Sequence, residues 1–363
     1  MPQFRGAELV GLELSTPRLT LRPWQLSDAQ AVAAIMATGR LHTYATNLPS
    51  PYTAEDARRF VTEIAPAAAQ HGAGLELAVV ERGSGTLSGA IALRLPQPAR
   101  EASMGYWIAP PAWRQGFATE AVRALAQWGG DHGVARIEIT CNVRNTPSAK
   151  VALRSGFTFE GLRRDAHAQF SRLATDSGEP VAPAFVPLPP AGLADGTIVL
   201  RVPALDDLPE FAEQEEDGQT VAVGVRGAPK SRAAMAELLA RSELDWLVGR
   251  FAPFAVVDRE SGRFAGSLHL RRSGPPHVGD LGFAIHPAFR GRGYAARALR
   301  LVCGWAFEYG GFERLELGTK SDNGASQHTV RAVGFTQEGV ATRRLRNADG
   351  SFSDELRFAL VRA

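Results

Sequence analysis

The chain has 363 residues, 45% of them hydrophobic and 21% charged, with a formal net charge of +2. That is long for one domain and ordinary for a soluble protein with a real core; so small a charge argues against a nucleic-acid partner, and no apolar segment is long enough to span a bilayer. Cys141 and Cys303 lack metal-ligand spacing and Met1–Gly11 lacks the basic-then-apolar order of a signal peptide, so two free, buried thiols in a reducing cytoplasm are expected.

In chain order, Leu19–Arg22 reads as a strand, followed by a polar turn with Ser27 and Asp28 as candidate helix caps. Leu77–Val80 and Ser88–Leu93 flank Gly83-Ser-Gly85 and predict a hairpin. Met104–Ile108 is the next strand, and Thr119–Trp128 is helical. Arg136–Cys141 alternates as a strand, and Ser148–Ser155 is a short helix stopped at Gly156. Val181–Asp195, with prolines at 183, 187, 189 and 190, is expected to carry the last strand of a first domain and then a linker. The expected domains are residues 1–190 and 191–363.

The second half repeats the first. Leu77-Ala-Val-Val-Glu81 matches Phe254-Ala-Val-Val-Asp258 at a shift of 177, which also places Gly105-Tyr-Trp-Ile108 on Gly282-Phe-Ala-Ile285 and Gly116-Phe-Ala118 on Gly293-Tyr-Ala295. At a shift of 178, Asn145-Thr-Pro-Ser148 falls on Asn323-Gly-Ala-Ser326, and Ser155-Gly-Phe157 on Val333-Gly-Phe335. Leu19-Thr-Leu-Arg22 resembles Ile198-Val-Leu-Arg201, with Asp206 and Asp207 as candidate caps. A period this long means two copies of one domain. Each copy sets a glycine turn between strand Leu281–Ile285, or its counterpart, and a helix such as Ala295–Trp305. Such a turn aims backbone N–H groups and a helix dipole at one spot, which suits a phosphate. Arg290 and Arg292 add positive charge; an ordinary turn with solvated arginines is the plainer alternative.

These residues resemble the GCN5-related N-acetyltransferases, the GNAT fold, whose signature is Gln/Arg-x-x-Gly-x-Gly/Ala. Arg290-Gly-Arg-Gly-Tyr-Ala295 matches it fully; Trp113-Arg-Gln-Gly-Phe-Ala118 has Trp in place of Gln/Arg. That departure, the Asn-x-x-Ser…Gly-Phe run and the opening Thr16-Pro-Arg-Leu-Thr-Leu-Arg22 are similar to the Rim-type branch, which acetylates ribosomal-protein N-termini. The resemblance covers nearly all of residues 15–188 and 196–361. It implies an α/β (α+β) fold of two tandem domains, each with a mixed, mostly antiparallel sheet flanked by helices and two central strands splayed apart. Met104–Ile108 with Arg136–Cys141, and Leu281–Ile285 with Leu315–Thr319, would be those strands.

The resemblance also implies acetyl-CoA as cofactor. Ile108, Arg114, Gln115, Gly116, Phe117, Ala118 and Thr119 would line its site in the first copy. Ile285, Arg290, Gly291, Arg292, Gly293, Tyr294, Ala295 and Ala296 would line the second. By position, Ser148 and Ser326 would protonate the leaving thiolate, and Asn145 and Asn323 would bond the pantetheine or a neighbouring strand. The alternatives are that the serines cap their helices and the asparagines form Asx turns.

A general base is less visible. Asp280, two residues before Gly282, shares that strand's cleft-facing side. Its aligned residue is Ser103, so Glu101, of the same parity, is the substitute in the first copy; a solvated strand-end charge is the alternative for both. Neutralising a lysine amine at pH 7 takes about 4–5 kcal/mol, an α-amine only about 1–1.5 kcal/mol. The expected acceptor is therefore an α-amine of a peptide or protein N-terminus, with a small-molecule amine as the alternative and neither nucleic acid nor membrane as partner. The acidic run Asp206–Asp217 either attracts a cationic acceptor or is a solvated helix face. In the first copy, His42 and Tyr44 are weak acceptor-contact candidates. In a third reading one copy, the first more readily, is a non-catalytic acyl-CoA-binding or scaffold module.

Overall fold

The structure is a computed structural model that describes residues 9–41, 49–95, 101–224, 229–249, 251–347 and 349–362; His42 and Tyr44 lie outside them. The chain divides into two compact units, Met1–Ala182 and Pro183–Ala363.

In the first unit, short segments, alternating in β2 and β6 and buried nearly throughout in β3 and β4, form β1 (Leu14–Ser15), β2 (Leu19–Arg22), β3 (Gly74–Glu81), β4 (Leu87–Arg94), β5 (Glu101–Ile108), β6 (Arg136–Asn142), β7 (Thr158–Leu162) and β8 (His167–Leu173). They make one sheet in the order β1-β2-β3-β4-β5-β6-β8-β7. Every neighbouring pair is antiparallel except β5 and β6. That parallel pair is held only from Glu101↔Arg136 to Ser103↔Glu138, and beyond it the two strands diverge. Helix α1 (Asp28–Ala37), α2 (Ala54–Arg59), a π-helical turn (Phe60–Ile64) and α3 (Ala65–Gln70) precede β3. Val32, Met36, Ala57 and Val61 pack on Ala78, Val80 and Ala90 of the sheet. After β5, α4 (Phe117–Asp131) buries Phe117, Ala121, Val122, Leu125 and Ala126, a helical-period apolar stripe. After β6 comes α5 (Thr146–Arg154).

The second unit repeats the plan. Strands β9 (Leu193–Ala194), β10 (Ile198–Arg201), β11 (Ala252–Asp258), β12 (Phe264–Arg272), β13 (Val278–Ile285), β14 (Arg314–Lys320), β15 (Thr336–Arg346) and β16 (Phe352–Val361) pair in the equivalent order. The parallel pair is β13–β14, from Val278↔Arg314 to Leu281↔Leu317, after which it too diverges. The helices are α6 (Leu208–Glu216), α7 (Gly218–Val223), α8 (Arg232–Ala240), α9 (Ser242–Val248), α10 (Tyr294–Glu308) and α11 (Gly324–Val333). Among the described residues no helix is long and apolar enough to cross a membrane.

Two local expectations are corrected. No strand forms between Leu173 and Leu193, so the first domain's last strand is β8 and not part of Val181–Asp195. The units part between Ala182 and Pro183, ahead of Pro190, because Phe185 is buried at 1% exposure in the second unit's core and Trp246 Nε1 donates to the Val186 carbonyl at 3.1 Å.

Ser27 makes no capping bond. Instead Asp28, buried, accepts from Gln25 N at 2.8 Å and from both terminal nitrogens of Arg22 at 2.8 and 2.9 Å. Asp207 repeats this with Ala204 N and Arg201. Burial pushes the Asp28 carboxyl up, but the Arg22 and Gln25 bonds outweigh it and the group titrates below its ordinary range. Stability from this pair is therefore lost as pH falls through that lowered value. Arg22→Ala strands a buried carboxylate and is expected to cost about 3 kcal/mol in urea unfolding at pH 7.

Candidate active sites

Each glycine turn closes onto its helix through two left-handed residues. In the second copy these are Gly291 (φ 74°) and Gly293 (φ 75°), the N-cap of α10; in the first they are Arg114 (φ 63°) and Gly116 (φ 82°), the N-cap of α4. Neither N-cap supplies a side-chain bond, so the first-turn N–H groups stay available to a ligand. A Cβ on Gly291 or Gly293 would meet no protein atom within 4 Å, whereas one on Gly116 would lie 3.3 Å from Arg18 Nη2. Arg18 donates to the Gln115 carbonyl at 2.8 Å, stacks over Phe117 and pairs with Glu120 at 2.6 Å. The sequence reading missed Arg18; its place beside the turn comes from strand packing.

Several turn side chains face the protein. Phe117 and Tyr294 are buried, and Tyr294 O–H donates to Asp258 at 2.6 Å. Gln115 Nε2 donates to the Pro111 carbonyl, and Arg292 stacks over Phe289. Arg290 donates to Asp217 at 2.5 Å, Thr220 at 2.8 Å and Gln219 at 2.9 Å, all at the start of α7. Ala118, Thr119, Ala295 and Ala296 continue the first turns of α4 and α10. Ile108 and Ile285 end the diverging strands, and the Ile108 carbonyl accepts from Trp113 Nε1 at 2.6 Å.

Past the end of β6, Asn145 caps α5: its side-chain oxygen accepts from Ser148 N at 3.2 Å, and Asn323 does the same for Ser326 N at 3.1 Å. The asparagines are thus the caps, which leaves both serine hydroxyls free of that duty. Ser148 Oγ shares a 2.8 Å hydrogen bond with Tyr106 Oη, and Tyr106 O–H also reaches the Ser148 carbonyl at 3.2 Å. This contact joins β5 to α5 where β5 and β6 have separated. Burial pushes the Tyr106 phenol far above its ordinary value, so it stays protonated. Cys141 lies on the diverging half of β6 and is buried. In the second copy Phe283 replaces Tyr106 and Thr319 replaces Cys141. Thr319 Oγ1 is buried with no hydrogen-bond partner, on the diverging half of β14.

A family model described as "Acetyltransferase (GNAT) domain" matches residues 18–158 and again 197–336. The chain belongs to the GNAT acetyltransferase family. It is 31% identical over 153 residues to an uncharacterized N-acetyltransferase, YoaA, of Bacillus subtilis (strain 168), spanning 42% of this chain and 85% of that protein. It is 35% identical over 82 residues to a ribosomal-protein-serine acetyltransferase of Escherichia coli (strain K12), spanning 22% of this chain and 46% of that one. A solved structure of ribosomal-protein-S5-alanine acetyltransferase from Vibrio fischeri aligns at 18% identity with a TM-score of 0.42, over 46% of this chain and 94% of its own. This chain is therefore a tandem GNAT N-acetyltransferase.

The two GNAT copies arrange their carboxylates differently. Asp280 sits one residue before the last β13–β14 pair and accepts from Arg271 Nε at 2.9 Å. Burial raises its pKa, against Arg271. Arg94 occupies the position of Arg271 in the first copy, but its acid comes from another strand: Glu76 of β3, at 3.4 Å. Burial raises the Glu76 pKa too, against Arg94. Glu101 is exposed at the paired end of β5, five residues from Tyr106 and so roughly 17 Å along the strand. The structure does not bring Glu101 to Ser148. A second missed residue is His269. A Cβ on Gly282 would lie 2.4 Å from its ring, so glycine makes room for imidazole over β13.

Most of the acidic run is paired with basic side chains outside it. Asp207, Glu210, Glu213, Glu215, Glu216 and Asp217 contact Arg201, Arg263, His286, Lys230, Arg232 and Arg290. Asp206, Glu213 and Glu216 are exposed, so the run is a partly solvated face whose charges are mostly paired, not a free cation trap.

Burial pushes the Cys141 thiol up to about 11 and the Cys303 thiol up to about 12. Only about a thousandth of Cys141 is thiolate at pH 8, so neither thiol should label with iodoacetamide until the protein is unfolded. Intact-mass analysis checks this.

Proposed function

We propose that each domain binds one acetyl-CoA and passes its acetyl group to a primary amine, with an α-amine of a peptide or protein as the acceptor. The observation that carries this is the repeated pairing of an open, amide-lined turn with a strand pair that separates beside it. The residues present fit the group: Gly291 and Gly293 leave room for a diphosphate, Gly116 does so with the Arg18 guanidinium at its edge, and Thr319 Oγ1 is a buried, unpartnered polar atom in the separated half of β14. Bound acetyl-CoA supplies an activated thioester. Around it, Ser148 Oγ would be the proton donor for the leaving sulfur and would regain its proton from solvent, with the Tyr106 hydroxyl bonded to the same serine oxygen. We assign Glu76 and Asp280, carboxylates whose proton affinity burial raises against Arg94 and Arg271, as the groups that would take the proton the attacking nitrogen sheds. Bases of this modest strength suit an α-amine, which needs far less help than lysine to be neutral.

The reading in which one domain only binds acyl-CoA now points to the second copy. That copy lacks the tyrosine hydroxyl, and its Arg290 is held by Asp217. Calorimetric titration with acetyl-CoA is expected to give two sites per chain; one site would reject the two-site reading. Incubation with a library of free-N-terminus peptides should then add a single acetyl group at the α-amine. Modification of small amines alone would reject the peptide acceptor.

A further inference from the structure

The first domain carries a second polar cleft, at the paired end of its sheet and away from the Tyr106–Ser148 contact. It holds about 310 Å³ and is lined by Arg123 and Gln127 of α4, Arg172 of β8, and Ser177 and Glu179 beyond it. A smaller void of about 70 Å³ shares Gln127 and Arg172 as lining.

Arg172 is only 8% exposed. Its guanidinium makes one hydrogen bond, from Nη2 to the neutral Gln127 Oε1 at 3.2 Å. No carboxylate among the described residues lies within ion-pair distance of it. Asp131 reaches it only through Gln127, whose Nε2 donates to Asp131 at 2.9 Å, and Asp176 is bonded to Leu173 N. Burying a charge without a direct counter-charge is costly, and here four of five guanidinium donors have no protein acceptor. Arg123 compounds the cost. Its Nε and Nη2 donate to the Arg154 carbonyl at 3.0 and 2.6 Å, so it brings a second positive charge to the same wall. Burial weakens the hold of Arg172 on its proton, and Arg123 adds to this, while the more distant Asp176 and Asp131 offset only part of it.

The duplicated domain shows that the fold does not need this arrangement. Arg300 stands in for Arg123 and makes the same kind of carbonyl bond, to Ala332 at 2.9 Å. Gln127, however, is matched by Gly304. Arg172 is matched by Leu360, which pairs with Leu315 as Arg172 pairs with Ile137. The buried charge is a property of the first copy alone.

We propose that this cleft is a binding site for a phosphate-bearing small molecule, its oxyanion held by the Arg172 guanidinium with Arg123 as the second charge. The planar fork of donors matches phosphate oxygens in pairs, and the cleft is large enough for a group attached to the phosphate.

The test titrates inorganic phosphate calorimetrically into the full chain, with and without saturating acetyl-CoA. It is repeated on Arg172→Leu, which copies the second domain, and on Ala124→Glu, which sets a carboxylate into the cleft from the half-buried face of α4. A phosphate site that persists under acetyl-CoA and weakens at least about ten-fold in both variants is the expected result. Unchanged acetyl-CoA stoichiometry in both variants would place the loss in this cleft and not at a glycine turn. Phosphate affinity equal in all three proteins, or phosphate fully displaced by acetyl-CoA, would overturn the proposal. Should Arg172→Leu fail to fold, Ala124→Glu decides alone. The result is independent of whether the glycine turns bind acetyl-CoA.

Discussion

Gly293→Val is expected to reduce the calorimetric stoichiometry of acetyl-CoA from two to one while leaving the protein folded. At φ 75° a β-branched residue costs more than glycine by about 1–2 kcal/mol, a modest loss for a whole domain. No protein atom lies within 4 Å of the new Cβ, so the fold meets no clash. The space the side chain enters is the space a diphosphate needs in order to reach the N–H groups of α10. Gly262→Val is the control, since Gly262 (φ 70°) also has nothing within 4 Å of its Cβ position but sits in the β11–β12 turn. It should show a similar stability loss with both sites intact. If both variants lose a site, strain and not obstruction explains the effect. Gly116→Val extends the test to the first copy, where Arg18 also crowds the position.

Ser148→Ala is expected to lower turnover about a hundred-fold when assayed in the Gly293→Val background, which leaves only the first domain competent. KM for acetyl-CoA should stay within about two-fold, because the hydroxyl acts on the leaving sulfur and not on the bound ground state. Tyr106→Phe should fall about ten-fold, since it removes the 2.8 Å partner of Ser148 but keeps the ring. If Ser148→Ala keeps full turnover, the hydroxyl pair is structural and the proton comes from elsewhere.

The features legible in the sequence were those whose function is local. A strand, a glycine turn and a helix start are neighbours in the chain, so the turn at Gly116 and Gly293 could be read from order alone. So could Asn145 and Asn323, although their role as helix caps needed the Ser148 and Ser326 N–H bonds to be seen. Features set by cross-strand register were hidden. Glu76 meets Arg94 only because β3 pairs with β4, and nothing local to Glu76 names its partner. Its signal was an acid in the interior of an apolar strand, between Leu75 and Leu77, unlike Glu81 at the strand's end. Tyr106 was visible in the aligned Gly-Tyr-Trp-Ile and Gly-Phe-Ala-Ile, as the one hydroxyl that the second copy lacks. Val181–Asp195 misled because it mixes strand-like residues with prolines, and the strand was supplied by β8 upstream.

Helix α7 has a consequence for ionic strength. It is fastened at one end by Arg290 to Asp217, Gln219 and Thr220, and at the other by buried Lys320, whose Nζ donates to the Ala222 carbonyl at 2.7 Å. A nucleotide arriving at the second turn meets an arginine already neutralised by a carboxylate, so any contact with Arg290 swaps one anion for another. Arg114 of the first copy has no such companion among the described residues. Added potassium chloride should therefore weaken nucleotide uptake by the first domain more steeply than by the second.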